Sequence, residues 1–200
     1  MKPTTAITLV LLTVGVIALA GLGGCTAQLA LTYPPPITPP TSVVRGKSLS
    51  VVRFADLRKH KRKVVVMKGE IEMGSVVLRK PDSVGGWVAR ALAAELTHAG
   101  AQVQVVNSPA QAQSPVVVTG AVTHLMTYSY NYAFINHCTV NFSLVVKRDG
   151  ATVLRKQYTG KATRPFFGGP GTTGDFEEVM AAALQDAMSQ AVPDIIKVIR

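Results

Sequence analysis

The stretch VVVTGAVTHLMTYSYNYAFINHCTVNFSLVVKRDGATVLRKQYTGKA, residues 116–162, decides the fold class of this chain. Through much of its length apolar residues alternate with polar ones, the pattern of strands that bury one face. Asp149-Gly150 inside it is the signal of a tight hairpin turn. Cys138 alternates with Val140 and Phe142, which favours a buried strand thiol over a reactive one.

Two amphipathic helices flank this β-rich block. Ser83 can cap the first and Gly100 can end it. Its apolar positions recur with a period of 3.6 residues, and they are Val84, Trp87, Val88, Ala91, Leu92, Leu96 and Ala99. The second helix is predicted from Asp175, with Glu178 placed for a capping box. Pro193 is expected to bend or end it, with a short continuation beyond.

Further strands are predicted near residues 49–54, 64–67, 76–78 and 101–106. This order of elements predicts a single α+β domain with a mainly antiparallel sheet and two amphipathic helices packed on one face. The other face of the sheet would be exposed to solvent or available to partners.

The N-terminus has the pattern of a targeting segment. Lys2 supplies a positive charge and residues 6–22 carry none. Leu22-Gly23-Gly24-Cys25 then resembles the bacterial lipobox, in which small residues precede a cysteine that is acylated. We therefore predict a signal peptide over residues 1–24 and lipid, including palmitate, on Cys25. An uncleaved signal anchor is the alternative.

Residues 25–44 are predicted to be the lipidated cysteine and a proline-rich tether, because the segment lacks charged residues and contains Tyr33-Pro34-Pro35-Pro36. Prolines at this density favour an extended polyproline II spacer. A ligand for an aromatic groove is the alternative. Residues 45–200 would form the periplasmic domain. Thr26 replaces the aspartate that commonly retains lipoproteins at the inner membrane, which favours the periplasmic face of the outer membrane.

Positive charge is concentrated early in the domain. Residues 45–80 carry 11 Lys and Arg against three Asp and Glu. We predict that the densest run binds an anionic surface through Arg58, Lys59, Lys61, Arg62 and Lys63. A solvated loop is the alternative. Export argues against the nucleic-acid partner that such a run would suggest in a cytosolic protein.

Aromatic side chains form a second candidate surface. Tyr128, Tyr130, Tyr132 and Phe134 share one parity, so in an extended chain they would point to one side. They are expected either to pack at an edge of the core or to contact a partner.

Catalytic and metal-ligating patterns are weak. His60, His98, His124 and His137 have no paired-ligand spacing with one another, although His124 and His137 lie on β segments that could meet. No Gly-x-Ser-x-Gly elbow occurs, and the glycine-rich stretch before Asp175 lacks a P-loop lysine. We predict neither a catalytic residue, nor a metal site, nor a cofactor.

The lipobox, Phe54-Ala55-Asp56-Leu57-Arg58, Trp87-Val88-Ala89-Arg90-Ala91-Leu92, Tyr158-Thr159-Gly160 and Phe176-Glu177 together resemble the YajG-type family of small bacterial lipoproteins. The resemblance spans roughly residues 22–200. It implies a periplasmic domain tethered to the outer membrane, and it brings no catalytic residues.

The sequence thus predicts a lipid-anchored periplasmic accessory module of the cell envelope that is not an enzyme. It would be held at the membrane by Cys25 and would support an envelope protein complex or contact anionic polymer or lipid. A hydrolase of an envelope polymer is the alternative. Nucleic acid is not an expected partner.

Overall fold

The computed structural model describes residues 28–68, 72–78, 83–130, 133–166 and 172–200. The predicted signal peptide and Cys25 lie outside these residues. The strands are β1 (Gln28–Leu29), β2 (Ser48–Val52), β3 (Ala55–Asp56), β4 (Lys63–Lys68), β5 (Glu72–Leu78), β6 (Gln102–Val106), β7 (Val116–Tyr130), β8 (Ile135–Arg148) and β9 (Ala151–Pro165). The helices are α1 (Val84–His98) and α2 (Thr173–Ile199). Neither is long and apolar enough to cross a membrane.

One mixed sheet contains all nine strands of the described residues, and the long strand β7 lies at its centre. Along one edge β7 pairs in parallel with β2, then β3, then β4. Along the other edge it pairs antiparallel with β8, which pairs with β9. The prediction of an α+β domain with a mainly antiparallel sheet is confirmed, although the sheet is mixed, because three short strands join β7 in parallel.

The antiparallel half of the sheet follows the sequence pattern. Strands β8 and β9 meet at the predicted hairpin turn, where Asp149 and Gly150 have φ of 51° and 83°. Positive φ at both turn residues matches the right-handed twist of the flanking strands.

Both helices pack on the same face of the sheet, as predicted. Helix α1 lies over β6, β2 and β7, and α2 lies over β9 and β8 beside it. Trp87 and Cys138 are buried between the layers, and burial raises the pKa of the Cys138 thiol to about 12. The thiol is therefore a packing group, as predicted.

The N-terminal cap of α1 agrees with the sequence prediction, and that of α2 differs from it. The Ser83 hydroxyl accepts the Gly86 N–H at 3.1 Å and caps α1, as predicted. Helix α2 starts earlier than predicted, with a capping box formed by Thr172 and Asp175. Glu178 instead pairs with Arg164 at 3.3 Å. The helix continues through Pro193 to Ile199.

Helix α2 crosses β9 at Gly160. A Cβ at this position would lie 1.9 Å from the Ala183 carbonyl oxygen, so only glycine admits this close approach. Beyond the crossing, Lys156 Nζ and the Tyr158 hydroxyl both donate to Asp194 Oδ2, at 2.7 and 2.9 Å. Strand β9 is thereby fastened to the second half of the helix.

The proline-rich segment packs on the domain. Residues 30–41 contact both helices, and we call them the strap. Trp87 Nε1 donates to the Thr32 carbonyl at 2.7 Å. Glu95, fully buried on α1, accepts the Tyr33 hydroxyl at 2.6 Å and the Thr38 N–H at 2.8 Å. It also accepts the Ile37 N–H.

This packing corrects the expectation of a free spacer. The strap lies on the domain, and two of its backbone N–H groups, those of Ile37 and Thr38, donate to one carboxylate. Burial raises the pKa of Glu95, but the hydrogen bonds from Thr38, Tyr33 and Ile37 outweigh it, so the pKa lies below its ordinary value. From Gln28 onward the chain follows the fold.

We expect Glu95→Gln to destabilise the domain by about 1–3 kcal/mol, because an amide N–H₂ replaces an acceptor that two backbone N–H groups share. The lowered pKa fixes the sign of the pH dependence. The stability that the carboxylate contributes is present above about pH 4.5 and is lost as pH falls through the lower folded-state pKa. Urea denaturation of both proteins at pH 7 and pH 3 measures this.

Gln185→Ala is the matched control, because it removes only an exposed hydrogen bond to the strap carbonyl of Pro35. It should cost less than about 1 kcal/mol. Equal stability of the Glu95→Gln variant and the wild type at pH 7 would contradict the role assigned to the carboxylate.

Candidate functional site

A β-bulge in β7 shapes the open face of the sheet. The β7–β8 register shifts between Val122 and His124, which leaves Thr123 as an extra residue. Before the bulge Val122 points toward the helices, and after it Leu125 does, with both side chains buried. Consequently His124 and the residues that alternate with it, Met126 and Tyr128, lie on the open face.

The run predicted to bind anions forms the loop between β3 and β4, residues 57–62, which we call the basic loop. Lys59, His60, Lys61 and Arg62 are exposed there. Lys63 opens β4 and is half-buried. Leu57, at the start of the loop, is 64% exposed. The loop therefore presents cations together with one apolar side chain.

Arg58 does not share this exposure. Its side chain is 3% exposed and binds Asp56 in a two-pronged ion pair, with Nε and Nη2 each 2.9 Å from a carboxylate oxygen. Nη2 also donates to the Lys61 carbonyl. The pair neutralises the charge and closes the loop. Arg58 therefore differs from the exposed cations, since its guanidinium holds the loop in shape, and its contact with an anion stays a prediction.

A cleft of about 200 Å³ separates the basic loop from β7. We call it the basic cleft, and its lining residues are Arg58, Lys59, His60, Thr123, His124, Leu125, Met126 and Tyr128. None of the described residues that line it is a carboxylate. The fold thus brings part of the basic run, Arg58 to His60, to a single site with His124 and Tyr128.

His124 is half-buried in this cleft. Burial lowers its pKa, and the nearby charge of Arg58 lowers it further. The ring is therefore neutral at neutral pH, and it can donate one N–H and accept one hydrogen bond.

The two histidines that could have met are apart. His124 lies opposite Asn141, whereas His137 lies opposite Tyr128 and contacts the Thr163 hydroxyl through Nδ1 at 2.8 Å. The position of His124 on β7 is four residues from Tyr128, the partner of His137, so the two histidines are separated by about 13 Å along the strand. Within the described ranges, no three His, Cys, Asp or Glu side chains are grouped as metal ligands.

The aromatic row is shorter than predicted. Tyr128 and Tyr130 lie on the open face with ring centroids 6.5 Å apart. Phe134 lies in the turn between β7 and β8 with φ of 50° and packs against Phe166 at 5.9 Å. Because the chain turns here, the alternation of side chains along an extended strand does not place Phe134 on the same side as Tyr128 and Tyr130. Tyr132 lies outside the described residues.

A larger groove of about 510 Å³ lies between the strap and α2. Arg164 and Glu178 face each other there and form an exposed ion pair at 3.3 Å. With Glu177 the groove contains one cation and two carboxylates, whereas no carboxylate is found among the described residues that line the basic cleft. We therefore take the basic cleft as the candidate site.

Sequence reasoning found the cations and His124 separately and missed that they share a cleft. The signal was present. Apolar residues of β7 change phase between Val122 and Leu125, which is how a bulge shows itself in an alternating pattern.

Arg58→Gln should destabilise the domain by about 2 kcal/mol, because it leaves Asp56 unpaired and opens the loop. Lys61→Gln removes the same charge from an exposed position and should change stability by less than about 0.5 kcal/mol. Urea denaturation compares the two variants. A similar effect of both substitutions would show that the Arg58–Asp56 pair does not hold the loop.

No protein-family model matches the chain, and comparison with curated proteins finds no match either. Solved structures do match. A Xanthomonas campestris protein of the DUF330 family aligns over 86% of this chain and 96% of its own, with 12% identity and a TM-score of 0.56. An uncharacterized protein aligns over 85% of this chain and 99% of its own, with 12% identity and a TM-score of 0.53.

The lipoprotein GNA1162 from Neisseria meningitidis is also similar, over 76% of this chain and 99% of that protein, with 16% identity and a TM-score of 0.38. That value is too low to carry an argument. The YajG-type resemblance stays a prediction. At 12% identity the first two likenesses concern the fold alone, and this chain has the fold of the DUF330 protein.

Proposed function

We propose that this protein is a lipid-anchored accessory module on the periplasmic face of the outer membrane, which binds an anionic envelope surface and is not an enzyme. The observation that carries the proposal is the composition of the basic loop. It combines three exposed Lys and Arg residues, Lys59, Lys61 and Arg62, with the exposed Leu57.

Cations beside an apolar side chain suit the interface of an anionic bilayer. Lys and Arg are attracted by the negative surface potential, and an apolar side chain can enter the boundary between head groups and acyl chains. Because the Arg58–Asp56 pair already shapes the loop, binding does not have to order the backbone. Preorganisation of this kind leaves more of the interaction energy for affinity.

The position of the N-terminus supports a membrane as the anionic surface. Gln28 in β1 lies beside Val77 in β5, and Val77 lies beside Lys63 at the end of the basic loop. Two strand spacings amount to about 10 Å. Three residues of chain from Cys25 to Gln28 span at most about 11 Å. Lipid on Cys25 would therefore lie within roughly 21 Å of the basic loop.

The attraction between the basic loop and an anionic bilayer is strong enough to orient the domain. Each Lys or Arg near an anionic bilayer contributes about 1 kcal/mol, so three contribute up to about 3 kcal/mol before screening. Surface charges are screened over a Debye length of about 8 Å at physiological salt. A contribution of this size does not hold a protein to a membrane alone, but it orients a domain that lipid already holds there.

The soluble domain from residue 28 should sediment with vesicles that contain phosphatidylglycerol and stay in solution with neutral phosphatidylcholine vesicles. Replacing Lys59, Lys61 and Arg62 by Gln should weaken partition into the anionic vesicles by up to about 100-fold at low salt. Binding of the wild type should fall as salt rises. Sedimentation across a lipid titration gives the partition coefficients.

The matched control replaces Lys147, Arg155 and Lys161 by Gln. These three side chains are exposed on β8 and β9, and the variant loses the same net charge. It should keep most of the binding. If the two variants lose binding equally, attraction depends on net charge and the basic loop has no special role.

The anchor has its own test. Cells that express the full chain and are fed a labelled fatty acid should label the protein, and Cys25→Ser should abolish the label. Two or three acyl chains hold a protein firmly at about 0.8 kcal/mol per buried CH₂. Label that persists in the Cys25→Ser variant would contradict lipidation at this residue.

A further inference from the structure

The basic cleft contains one polar group that is buried, the guanidinium of Arg58. Arg58 lines the cleft, and its Nη1 is buried and has no hydrogen-bond partner among the described residues. The other two guanidinium nitrogens are occupied by Asp56 and the Lys61 carbonyl. A buried guanidinium N–H without an acceptor costs free energy, and an anion that reached it would remove that cost.

Three more donors line the same cleft. Lys59 and His60 extend from the basic loop, and the His124 ring comes from β7. No carboxylate stands among the lining residues that the structure describes, since Asp56 lies behind Arg58 and is already paired. Donors that line one cleft from two elements beside a guanidinium suit the oxygens of a tetrahedral oxyanion.

The size of the cleft limits the ligand. At about 200 Å³ it has the volume of roughly seven waters at about 30 Å³ each. It is smaller than the pockets of about 300–1,000 Å³ that hold whole small molecules. Met126 and Tyr128 add an apolar wall on the open face. The cleft therefore suits one charged group with a short carbon backbone.

We propose that the basic cleft binds the phosphoryl group of a glycerophosphate, as found in a phospholipid head group. The inference rests on the proposed function and makes it specific. The exposed cations of the basic loop supply long-range attraction, whereas the cleft recognises a single phosphoryl group through Arg58, Lys59 and His124.

Titration of the ¹⁵N-labelled domain with sn-glycerol 3-phosphate, followed by amide chemical shifts, tests the proposal. Shifts should saturate and should be localised to residues 57–62 and 123–128. Lys59→Gln, which removes a cation, and His124→Ala, which removes a donor, should each weaken binding about tenfold, the effect of losing one hydrogen bond to a charged group. Lys61→Gln removes the same charge as Lys59→Gln but does not line the cleft, so it should change the affinity by less than about twofold.

Inorganic phosphate and phosphatidylglycerol vesicles distinguish the source of the phosphoryl group. Tighter binding of glycerophosphate than of inorganic phosphate supports a head group, and equal binding supports the phosphoryl cleft with a free anion as its ligand. Shifts that rise linearly without saturation, or equal losses from Lys59→Gln and Lys61→Gln, would overturn the cleft. In that case vesicle binding that depends on the basic loop would still support the proposed function, so the two failures are distinguishable.

Discussion

The bulge at Thr123 is the constraint on which the arrangement of this protein depends. Strand β7 is hydrogen-bonded along both edges, so its alternation decides what enters the core and what faces outward. The extra residue lets Val122 and Leu125 both reach the helix layer. The same shift turns His124 outward beside the basic loop. The packing of the core and the shape of the basic cleft thus both depend on this bulge in the β7–β8 pairing.

Two buried charged side chains fix the segments around this sheet. Glu95 binds the strap, and Arg58 with Asp56 closes the basic loop. Glu95 accepts hydrogen bonds from the strap, and Arg58 donates to Asp56 and to the Lys61 carbonyl, so polar groups outside regular secondary structure are satisfied. Their combined effect is geometric, because the strap keeps the chain on the domain from Gln28 and the ion pair shapes the loop near that end. The proposed membrane contact needs both segments in these places.

Much of the fold could be predicted from the sequence, because helix periodicity, the Ser83 cap and the Asp149-Gly150 turn are local signals. The parallel pairing of β2, β3 and β4 could not, since strands this short carry no mark of their direction. The position of Glu95 in the sequence could have predicted the packing of the strap. It falls on the apolar row of α1 that includes Ala91 and Ala99, and a carboxylate there needs donors from another segment. The cleft required tertiary structure, because its two sides come from different elements.

The central claim is that this module contacts its anionic surface through the basic loop and the end of β7, while the helix layer and strap serve the fold. Amide chemical shifts of the ¹⁵N-labelled domain, measured with bicelles that contain phosphatidylglycerol, test this most directly. We predict changes at residues 57–62 and 123–128, with α1, α2 and the strap unchanged. Changes concentrated on α2 or the strap, with the basic loop unaffected, would contradict the account.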